Sequence, residues 1–228
     1  MSEIIQIGQP PIEVHLRRSQ RARRFSLRIS NSSGIVSLTV PKRASAKAAI
    51  GFAQDQEVWL RHNLEKRPKQ VLPVFGGSIL LDGRNVTLAQ GSQRSPVLRD
   101  GVLSLYGHEE ALAARLRGYL KTLARERLLN ASEQYASAIG RDISRITLRD
   151  TRSRWGSCTS EGNLMFSWRL VMAPRAVQDY VAAHEVCHLV EMNHSAAYWR
   201  LVESIYPDYQ NQRNWLKING ATLHRYVF

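Results

Sequence analysis

The sequence predicts an α+β fold, with a β-rich N-terminal part at residues 1–107 and a C-terminal part at residues 108–228 in which helices pack on a small sheet. Two observations lead to this class. Short segments of partly alternating apolar and polar residues dominate the first part, as in half-buried strands. A long segment with helical spacing of apolar residues opens the second part just after Gly107. With 228 residues, the two parts can be separate small domains or one continuous body.

The N-terminal part consists of short strands and one helix. Strands are expected at 12–17, 24–30, 35–40, 79–81 and 85–89, with a further hairpin within 97–105. The run Asn31-Ser32-Ser33-Gly34 predicts a hairpin turn between the second and third of these strands. Residues 44–67 predict a helix, because Ser45 can cap its N-terminus and apolar residues follow on an imperfect helical face.

The C-terminal part contains the longest helix that the sequence predicts. Residues 109–138 carry leucine and tyrosine side chains at helical spacing, and Gly140 follows as a stop signal. Ser195 is the expected N-cap of the last predicted helix. The remaining elements are expected in the order strand 143–149, turn-rich segment 151–162, strand 163–171, a helix opened by Pro174 that includes His188, and a helix over 196–205.

The composition excludes several classes of protein. Apolar residues make up 43% and charged residues 22%, which is ordinary for a globular chain and excludes wholesale disorder. No apolar run reaches about 18 residues, so neither a membrane span nor a membrane partner is expected. The first residues lack the basic start and apolar stretch of a secretory signal. Two cysteines, Cys158 and Cys187, cannot form a disulfide framework, and the cytoplasm is the expected location.

The chain is strongly basic, with 32 Lys and Arg residues against 19 Asp and Glu residues and a net charge of +13. Residues 1–107 hold 16 basic and 7 acidic residues, a net of +9, whereas residues 108–228 hold 16 and 12, a net of +4. Such a field favours nucleic acid or a nucleotide as partner, or serves solubility alone. The candidate contacts to an anionic partner form one dense run: Arg17, Arg18, Arg21, Arg23 and Arg24. The other interpretation of this run is a solvated strand face and turn.

The run His184-Glu185-Val186-Cys187-His188 carries the clearest chemistry in the sequence. On a helix, positions i and i+4 share a face, so the two imidazoles can bind one zinc ion. Glu185 lies about 100° further round the helix, where it can reach a water at the metal more easily than the metal itself. We therefore expect Glu185 to act as general base and then as proton donor. Two surface histidines without a metal are the alternative interpretation.

A catalytic zinc site normally has three protein ligands and one open position. His194, six residues after His188, is the favoured third ligand of a single zinc ion per chain. Six residues turn a straight helix by about 240°, so the chain must leave the helix between 189 and 193 and fold back. Asn193 tolerates a left-handed conformation and is the expected pivot. Glu203, on the following helix, is the competing third ligand.

Other residues are candidates for the wall of a cleft around this site. The run Arg154-Trp155-Gly156-Ser157-Cys158 precedes a predicted strand, and an extended substrate can pair with a strand beside a cleft. A tryptophan-anchored turn is the equal alternative for this run. The candidates for cleft or supporting positions are Arg154, Trp155, Asn193 and Tyr198. Donors to a developing oxyanion are expected among Arg154, Tyr198, Tyr206, Tyr209 and His224, which the sequence does not rank.

A larger pattern surrounds the histidines. It comprises Arg154 to Cys158, Asn163, Trp168-Arg169-Leu170, Ala173-Pro174, Tyr180-Val181, His184 to Leu189, Asn193-His194-Ser195, Trp199, Pro207-Asp208-Tyr209, Trp215-Leu216 and the N-terminal arginine run. In this pattern the chain resembles the YgjP-like family of zinc-dependent metallopeptidases, over nearly its whole length. The resemblance implies a zincin-like catalytic fold, zinc held by His184, His188 and His194, and Glu185 as the catalytic acid and base.

These observations predict a zinc-dependent hydrolase, and in particular a metallopeptidase acting on a peptide or protein. Two alternatives stay open. The same metal can serve a nucleotide pyrophosphatase acting on substrates such as UTP, although the sequence has neither a Walker-type loop nor an acidic metal cluster. The chain can also be a nucleic-acid-binding module with a secondary metal site, or a peptidase that DNA brings to its substrates.

Overall fold

The computed structural model describes residues 3–30, 34–65 and 69–228. The chain divides into two compact units, one that ends at Lys69 and one that begins at Gln70. Both contain helices and a sheet, so the predicted α+β class is confirmed. None of the described helices is long and apolar enough to cross a membrane. The predicted turn at Asn31-Ser32-Ser33-Gly34 has its first three residues outside the described ranges.

The first unit is a four-stranded sheet with two helices on one face. Its elements are β1 (Glu3–Ile7), β2 (Ile12–Ser19), β3 (Ser26–Ile29), β4 (Val36–Pro41), α1 (Ala46–Asp55) and α2 (Glu57–Glu65). The strand order is β1-β2-β4-β3, with β2 and β4 parallel and each outer strand antiparallel to its neighbour. Alternate residues of the central strands meet apolar side chains of the helices in one core: Val14, Leu16, Leu38, Val40, Ala49, Ala53 and Leu60.

Two details of this unit differ from the sequence-based prediction. The single helix expected at 44–67 is two helices, because the chain turns at Gln56 before α2 begins. Ser45 caps α1 as predicted, and its hydroxyl accepts a hydrogen bond from the backbone NH of Ala48. The sequence does not predict β1, because its residues do not alternate cleanly between apolar and polar.

The second unit opens with a sheet of the same topology. Its strands are β5 (Ser78–Leu81), β6 (Arg84–Gly91), β7 (Val97–Arg99) and β8 (Val102–Tyr106), in the order β5-β6-β8-β7. The two central strands are again parallel, and each outer strand is antiparallel to its neighbour. The sequence shows no repeat that matches the two sheets, so their likeness is one of topology alone.

The boundary between the two units precedes this second sheet, whereas the sequence analysis places it near Gly107. The physical reason is that the sheet β5–β8 shares one continuous core with α3 (Glu109–Ala138). Asp82, in the β5–β6 turn, also forms a two-pronged ion pair with Arg127 of α3. The predicted secondary structure changes from strands to helix near Gly107, but the hydrophobic core continues across this position.

The rest of the second unit builds a three-stranded sheet and the helices around it. After α3 follow β9 (Arg145–Arg149), β10 (Gly156–Cys158), β11 (Asn163–Ser167), α4 (Arg175–Cys187), α5 (Ala196–Ile205) and α6 (Tyr209–Asn219). Short 3-10 turns cover Trp168–Met172 and Gly220–His224. The strand order is β10-β11-β9, with β10 antiparallel and β9 parallel to β11. Strand β10 therefore lies at the edge of the sheet, in contact with α4.

Most of these elements agree with the sequence. Helix α3 spans the predicted 109–138, and its leucine stripe faces the core. The strand expected at 163–171 ends at Ser167, because the chain then enters a fully buried 3-10 turn. The sequence does not predict β10, since Gly-Ser-Cys carries no alternation, and α6 lies outside the predicted elements as well.

Candidate active site

Three histidines meet at the end of α4. His184, His188 and His194 each offer a ring nitrogen, and these atoms lie within 4.8 Å of one another. The Nε2 atoms of His184 and His194 are 3.2 Å apart, a distance that also suits a direct hydrogen bond between the rings. Two nitrogen ligands of a tetrahedral zinc ion are about 3.3 Å apart, given Zn–N bonds of about 2.0–2.1 Å. The His184–His194 pair is therefore spaced as two zinc ligands are, and the three histidines together could hold a metal ion. The competing Glu203 is not part of this group in the described chain.

The backbone after α4 folds back to bring His194 to the other two rings. Helix α4 ends at Cys187, and His188 is its C-cap. The chain then tightens, because the NH groups of Leu189 and Val190 bond to carbonyls three residues earlier. The chain leaves the α-helix as the spacing predicts, although slightly earlier than the expected 189–193.

Asn193 shapes this turn through its side chain. Its φ is not positive, so the prediction of a left-handed pivot at this residue is wrong. Instead, Asn193 Oδ1 accepts a hydrogen bond of 3.1 Å from the backbone NH of Ser195. The Ser195 hydroxyl accepts one of 3.2 Å from the NH of Tyr198 and caps α5, as predicted. Two linked side-chain caps thus fix the path of the chain from His194 into α5.

Hydrogen bonds and stacking fix the orientation of the ligand rings. His188 Nδ1 donates to the Glu191 carbonyl at 2.9 Å, which leaves its Nε2 atom free for a metal. The Tyr198 ring stacks on His188 with ring centres 4.5 Å apart, and the Tyr198 hydroxyl donates to the His184 carbonyl at 2.9 Å. Because Tyr198 is fully buried and its hydroxyl is committed, this residue supports the ligands and does not face a substrate.

The surroundings of the histidines favour neutral rings. Burial, together with the nearby charges of His188, His194 and Arg213, lowers the pKa of His184 to about 3. Burial also lowers the pKa of His188, although its bond to the Glu191 carbonyl acts in the opposite direction. Neutral imidazole is the form that binds a metal ion. The rings of His184 and His188 therefore favour the charge state that a divalent cation requires.

Glu185 lies buried against the edge strand β10. Only 5% of its surface is exposed, and a Cβ atom on Gly156 would approach its Cδ atom to 2.7 Å. The missing side chain at Gly156 thus provides the space that the carboxyl group occupies. Burial raises the pKa of Glu185 to about 8, and the positive charge of Arg154 opposes this rise. A carboxyl group of this kind can accept and return a proton near neutral pH.

An aromatic layer supports His194, the exposed ligand. Trp199 stacks on His194 with ring centres 5.6 Å apart, and Tyr209 stacks on Trp199 at 5.3 Å. The guanidinium group of Arg213 lies over the Trp199 ring, 4.7 Å from its centre. Tyr209 is therefore a packing residue of this layer rather than an oxyanion donor.

The structure separates the other residues that the sequence predicts for the cleft. Arg154 is exposed and lies close enough to Glu185 to affect its pKa. Trp155 stacks on His224 with ring centres 5.1 Å apart, so both rings belong to the packing around the C-terminal 3-10 turn. The Tyr206 hydroxyl donates to a backbone carbonyl of α4 at 2.8 Å and is likewise committed. Of this group, Arg154 keeps an exposed polar head beside the general-base candidate.

Three supporting features escape the sequence analysis. Gly156 makes room for Glu185, the backbone carbonyl of Glu191 orients His188, and Arg213 covers the aromatic layer. The glycine between Trp155 and Ser157 is a visible signal of a close approach, but the sequence does not say what approaches it. A backbone carbonyl leaves no signal at all.

The arginine run lies in the first unit, and its members differ in whether their side chains bond to the rest of that unit. Arg18 is tied down, because its guanidinium group donates to the Ala44 carbonyl at 2.8 Å and to the Lys42 carbonyl at 3.4 Å. The other four are exposed: Arg17, Arg21, Arg23 and Arg24. Arg18 thus has a structural role, while contact of the others with an anionic partner stays a prediction.

Both cysteines are free thiols. Burial, together with the negative charge of Glu185, raises the pKa of Cys158 to about 11. Burial raises that of Cys187 to about 12. Neither cysteine belongs to the group of described residues that could hold a metal ion, and both pack against the core of the second unit.

A buried glutamate beside three convergent histidines, on a helix packed against a sheet edge, is the arrangement of a metal-dependent hydrolase. The family model described as YgjP-like, metallopeptidase domain, matches residues 23–219. The chain therefore belongs to the YgjP-like family, as its sequence pattern implies, and is a metallopeptidase-like hydrolase. Among solved structures, the metallopeptidase zymogen of Pyrococcus abyssi abylysin is 18% identical, with a TM-score of 0.36 over 40% of this chain and 95% of that chain. No curated protein matches the sequence.

Proposed function

We propose that this chain is a zinc-dependent metallopeptidase that holds one zinc ion with His184, His188 and His194 and uses Glu185 as general base. The observation that carries the proposal is the position of Glu185, buried one residue after the first ligand and packed on β10. A structural zinc site normally has four protein ligands, whereas three leave one coordination position for water or substrate.

The residues of the chain have distinct roles in this proposal. When bound, zinc supplies a Lewis acid that polarises a carbonyl group and lowers the pKa of water. Glu185 accepts the proton of the attacking water and later donates it to the leaving nitrogen. Burial assists the second step, because a carboxyl group of raised pKa holds a proton readily near neutral pH.

The edge strand β10 is the proposed docking place for a peptide or protein substrate. Among the described strands, β10 pairs with β11 on one side and with none on the other. An extended peptide can add to such an edge as a further strand. Because β10 also contacts Glu185 through Gly156, a peptide added there would lie beside the general base.

The test compares the wild-type chain with Glu185→Gln after loading with zinc. Both proteins are incubated with a peptide library, cleavage products are identified by mass spectrometry, and zinc is measured by elemental mass spectrometry. We expect cleavage by the wild type and none by Glu185→Gln, with about one zinc ion per chain in both. The matched control is Glu133→Gln, an exposed position on α3, which should cleave as the wild type does. Undiminished cleavage by Glu185→Gln would contradict the mechanism.

The ligand set is tested by zinc content alone. His188→Ala and His194→Ala should each lose the zinc ion, whereas Glu203→Ala should keep it, because Glu203 is exposed and lies outside the histidine group. Retention of zinc by His194→Ala together with its loss in Glu203→Ala would shift the third ligand to Glu203. The measurement needs no substrate, so it stands apart from the cleavage assay.

The alternatives from the sequence predict other activities. A nucleotide pyrophosphatase would release pyrophosphate from UTP in a reaction that depends on Glu185. We expect no such release, because the metal-ligating group of the described chain consists of histidines, without the carboxylates that hold magnesium beside phosphates. The cytoplasmic location stays a prediction.

A further inference from the structure

The outer face of the three-stranded sheet carries a groove of about 430 Å³. Alternate residues of β9 and β11, such as Ile146 and Leu164, face the core on the other side. The residues between them point outward and align across the strands, with Arg145 opposite Asn163. Alternation along the strands thus gives this sheet one apolar face and one polar face.

The groove concentrates positive charge. Three of its side chains are arginines, Arg145, Arg149 and Arg154, and the described lining includes no Asp or Glu. The ion pairs between described residues use none of these arginines. Arg154 also interacts electrostatically with Glu185. The other two guanidinium groups are exposed and have no ion-pair partner in the described chain, which favours an anion from outside.

The remaining lining groups are those that bind phosphate. Arginine presents a planar fork that matches phosphate oxygens, and the hydroxyl group of Ser157 adds an uncharged donor. The Thr147 hydroxyl and the Asn163 amide line the groove too, but they donate to the Leu164 carbonyl and to Thr159 Oγ1. No aromatic side chain among the described lining residues offers a base a surface for stacking. The groove therefore suits a sugar-phosphate backbone better than it suits bases.

The sheet of the first unit has an outer face of a similar kind. On β4, Ser37 lies opposite Arg28 of β3 and Thr39 lies opposite Arg17 of β2, beside a cavity of about 610 Å³ that has one acidic lining residue, Glu3. Each unit, taken by itself, thus carries arginines on a polar face of its sheet, which favours a polyanionic partner.

We propose that the outer face of the β9–β11 sheet is a binding groove for the backbone of single-stranded nucleic acid, without preference for base sequence. An acidic polypeptide carries charge on only some of its residues, whereas every nucleotide supplies a phosphate. The proposal does not depend on peptidase activity, so Glu185→Gln should bind nucleic acid as the wild type does.

The test is fluorescence anisotropy of a labelled, mixed-sequence DNA strand of about 20 nucleotides, titrated with the full chain. Three arginine contacts in the groove give a salt slope of about −2.1 at about 0.7 per contact. Affinity should then fall about 20-fold between about 50 and 200 mM salt. Arg145→Gln combined with Arg149→Gln should reduce the slope by about 1.4 and weaken binding about 10-fold or more.

Two double variants serve as controls for charge and for folding. Arg117→Gln with Arg125→Gln changes the net charge equally at exposed positions of α3 and should bind as the wild type does. Arg145→Lys with Arg149→Lys keeps the charge of the groove and should therefore keep the wild-type salt slope, although loss of the planar fork lowers the affinity itself.

Three results would overturn the proposal. The first is failure of the wild type to bind at about 50 mM salt. The second is equal weakening in the groove variant and the α3 variant, since net charge alone would then explain binding. The third is displacement of the DNA by polyglutamate as effective as displacement by unlabelled DNA of equal charge.

Discussion

Replacement of Gly156 by alanine tests the link between the edge strand and the general base. The φ angle of Gly156 is not positive, so alanine introduces no strain from a left-handed backbone. The added Cβ atom would lie 2.7 Å from the Cδ atom of Glu185. Carbon atoms in contact are normally about 3.5–4.0 Å apart, so the carboxyl group must move by about 0.8 Å or more.

This displacement sets the expected size of the effect. A misplacement of about 1 Å can cost about 100-fold in rate, so kcat/KM of Gly156→Ala should fall by roughly that factor. Overpacking of the buried site should also lower the free energy of unfolding by about 1–3 kcal/mol. Zinc content should stay unchanged, because the three atoms nearest to the added Cβ all belong to Glu185 rather than to a histidine.

The assay measures kcat/KM on the best-cleaved library peptide, zinc content, and stability in urea. Gly118→Ala on α3 is the matched control, since nothing lies within 4 Å of its added Cβ atom. It should leave the rate unchanged and stabilise the chain by about 0.5–1 kcal/mol. Wild-type kcat/KM in a zinc-loaded Gly156→Ala protein would refute the reasoning that β10 positions Glu185.

Three further changes should have separate effects. Tyr198→Phe removes the hydroxyl bonded to the His184 carbonyl, and zinc affinity in a chelator competition should fall about 10-fold; unchanged affinity would contradict that supporting role. When free zinc is present at about 1,000 times its Kd, its removal by a chelator should lower the free energy of unfolding by about 4 kcal/mol. In a thermal scan, the chelator should therefore lower the Tm of the wild type but not that of His188→Ala. Burial tends to raise the pKa of Asp150, but the hydrogen bonds and charge of Arg169 outweigh it and bring that pKa below 3.8. The stabilising effect of the Arg169–Asp150 ion pair should therefore be present above about pH 4 and be lost as the pH falls through the pKa of Asp150 in the folded chain. The difference in the free energy of unfolding in urea between wild type and Asp150→Asn should become smaller over this pH range. A difference that does not change with pH would contradict this.

Much of the fold can be predicted from the sequence, because the periodicity of apolar residues along a segment shows which of its faces is buried. The leucine stripe predicts α3 with its bounds, and Ser195 predicts the start of α5. The prediction is weaker where the local pattern of residues does not reflect how they pack. Strand β10 has three residues and no alternation, and it exists because β11 and α4 flank it. The core shared by β5–β8 and α3 likewise sets the unit boundary, since burial between distant segments leaves no local mark.

The candidate site divides in the same way. The spacing of His184 and His188 on one helix determines by itself that two imidazoles share a face, because the geometry of the α-helix is fixed. The spacing also requires a turn back before His194, and the structure contains one, but through an Asn193 side-chain bond rather than a left-handed backbone.

The sequence alone determined the residue types of the site, the helical face they share and the family to which the chain belongs. Only the tertiary structure decided what surrounds them. It places a glycine of the edge strand against Glu185, the ring of Tyr198 against His188, and an arginine-lined groove on the far face of the same sheet. These contacts join residues far apart in the chain, and their energies depend on burial and distance, which no local pattern of residues records.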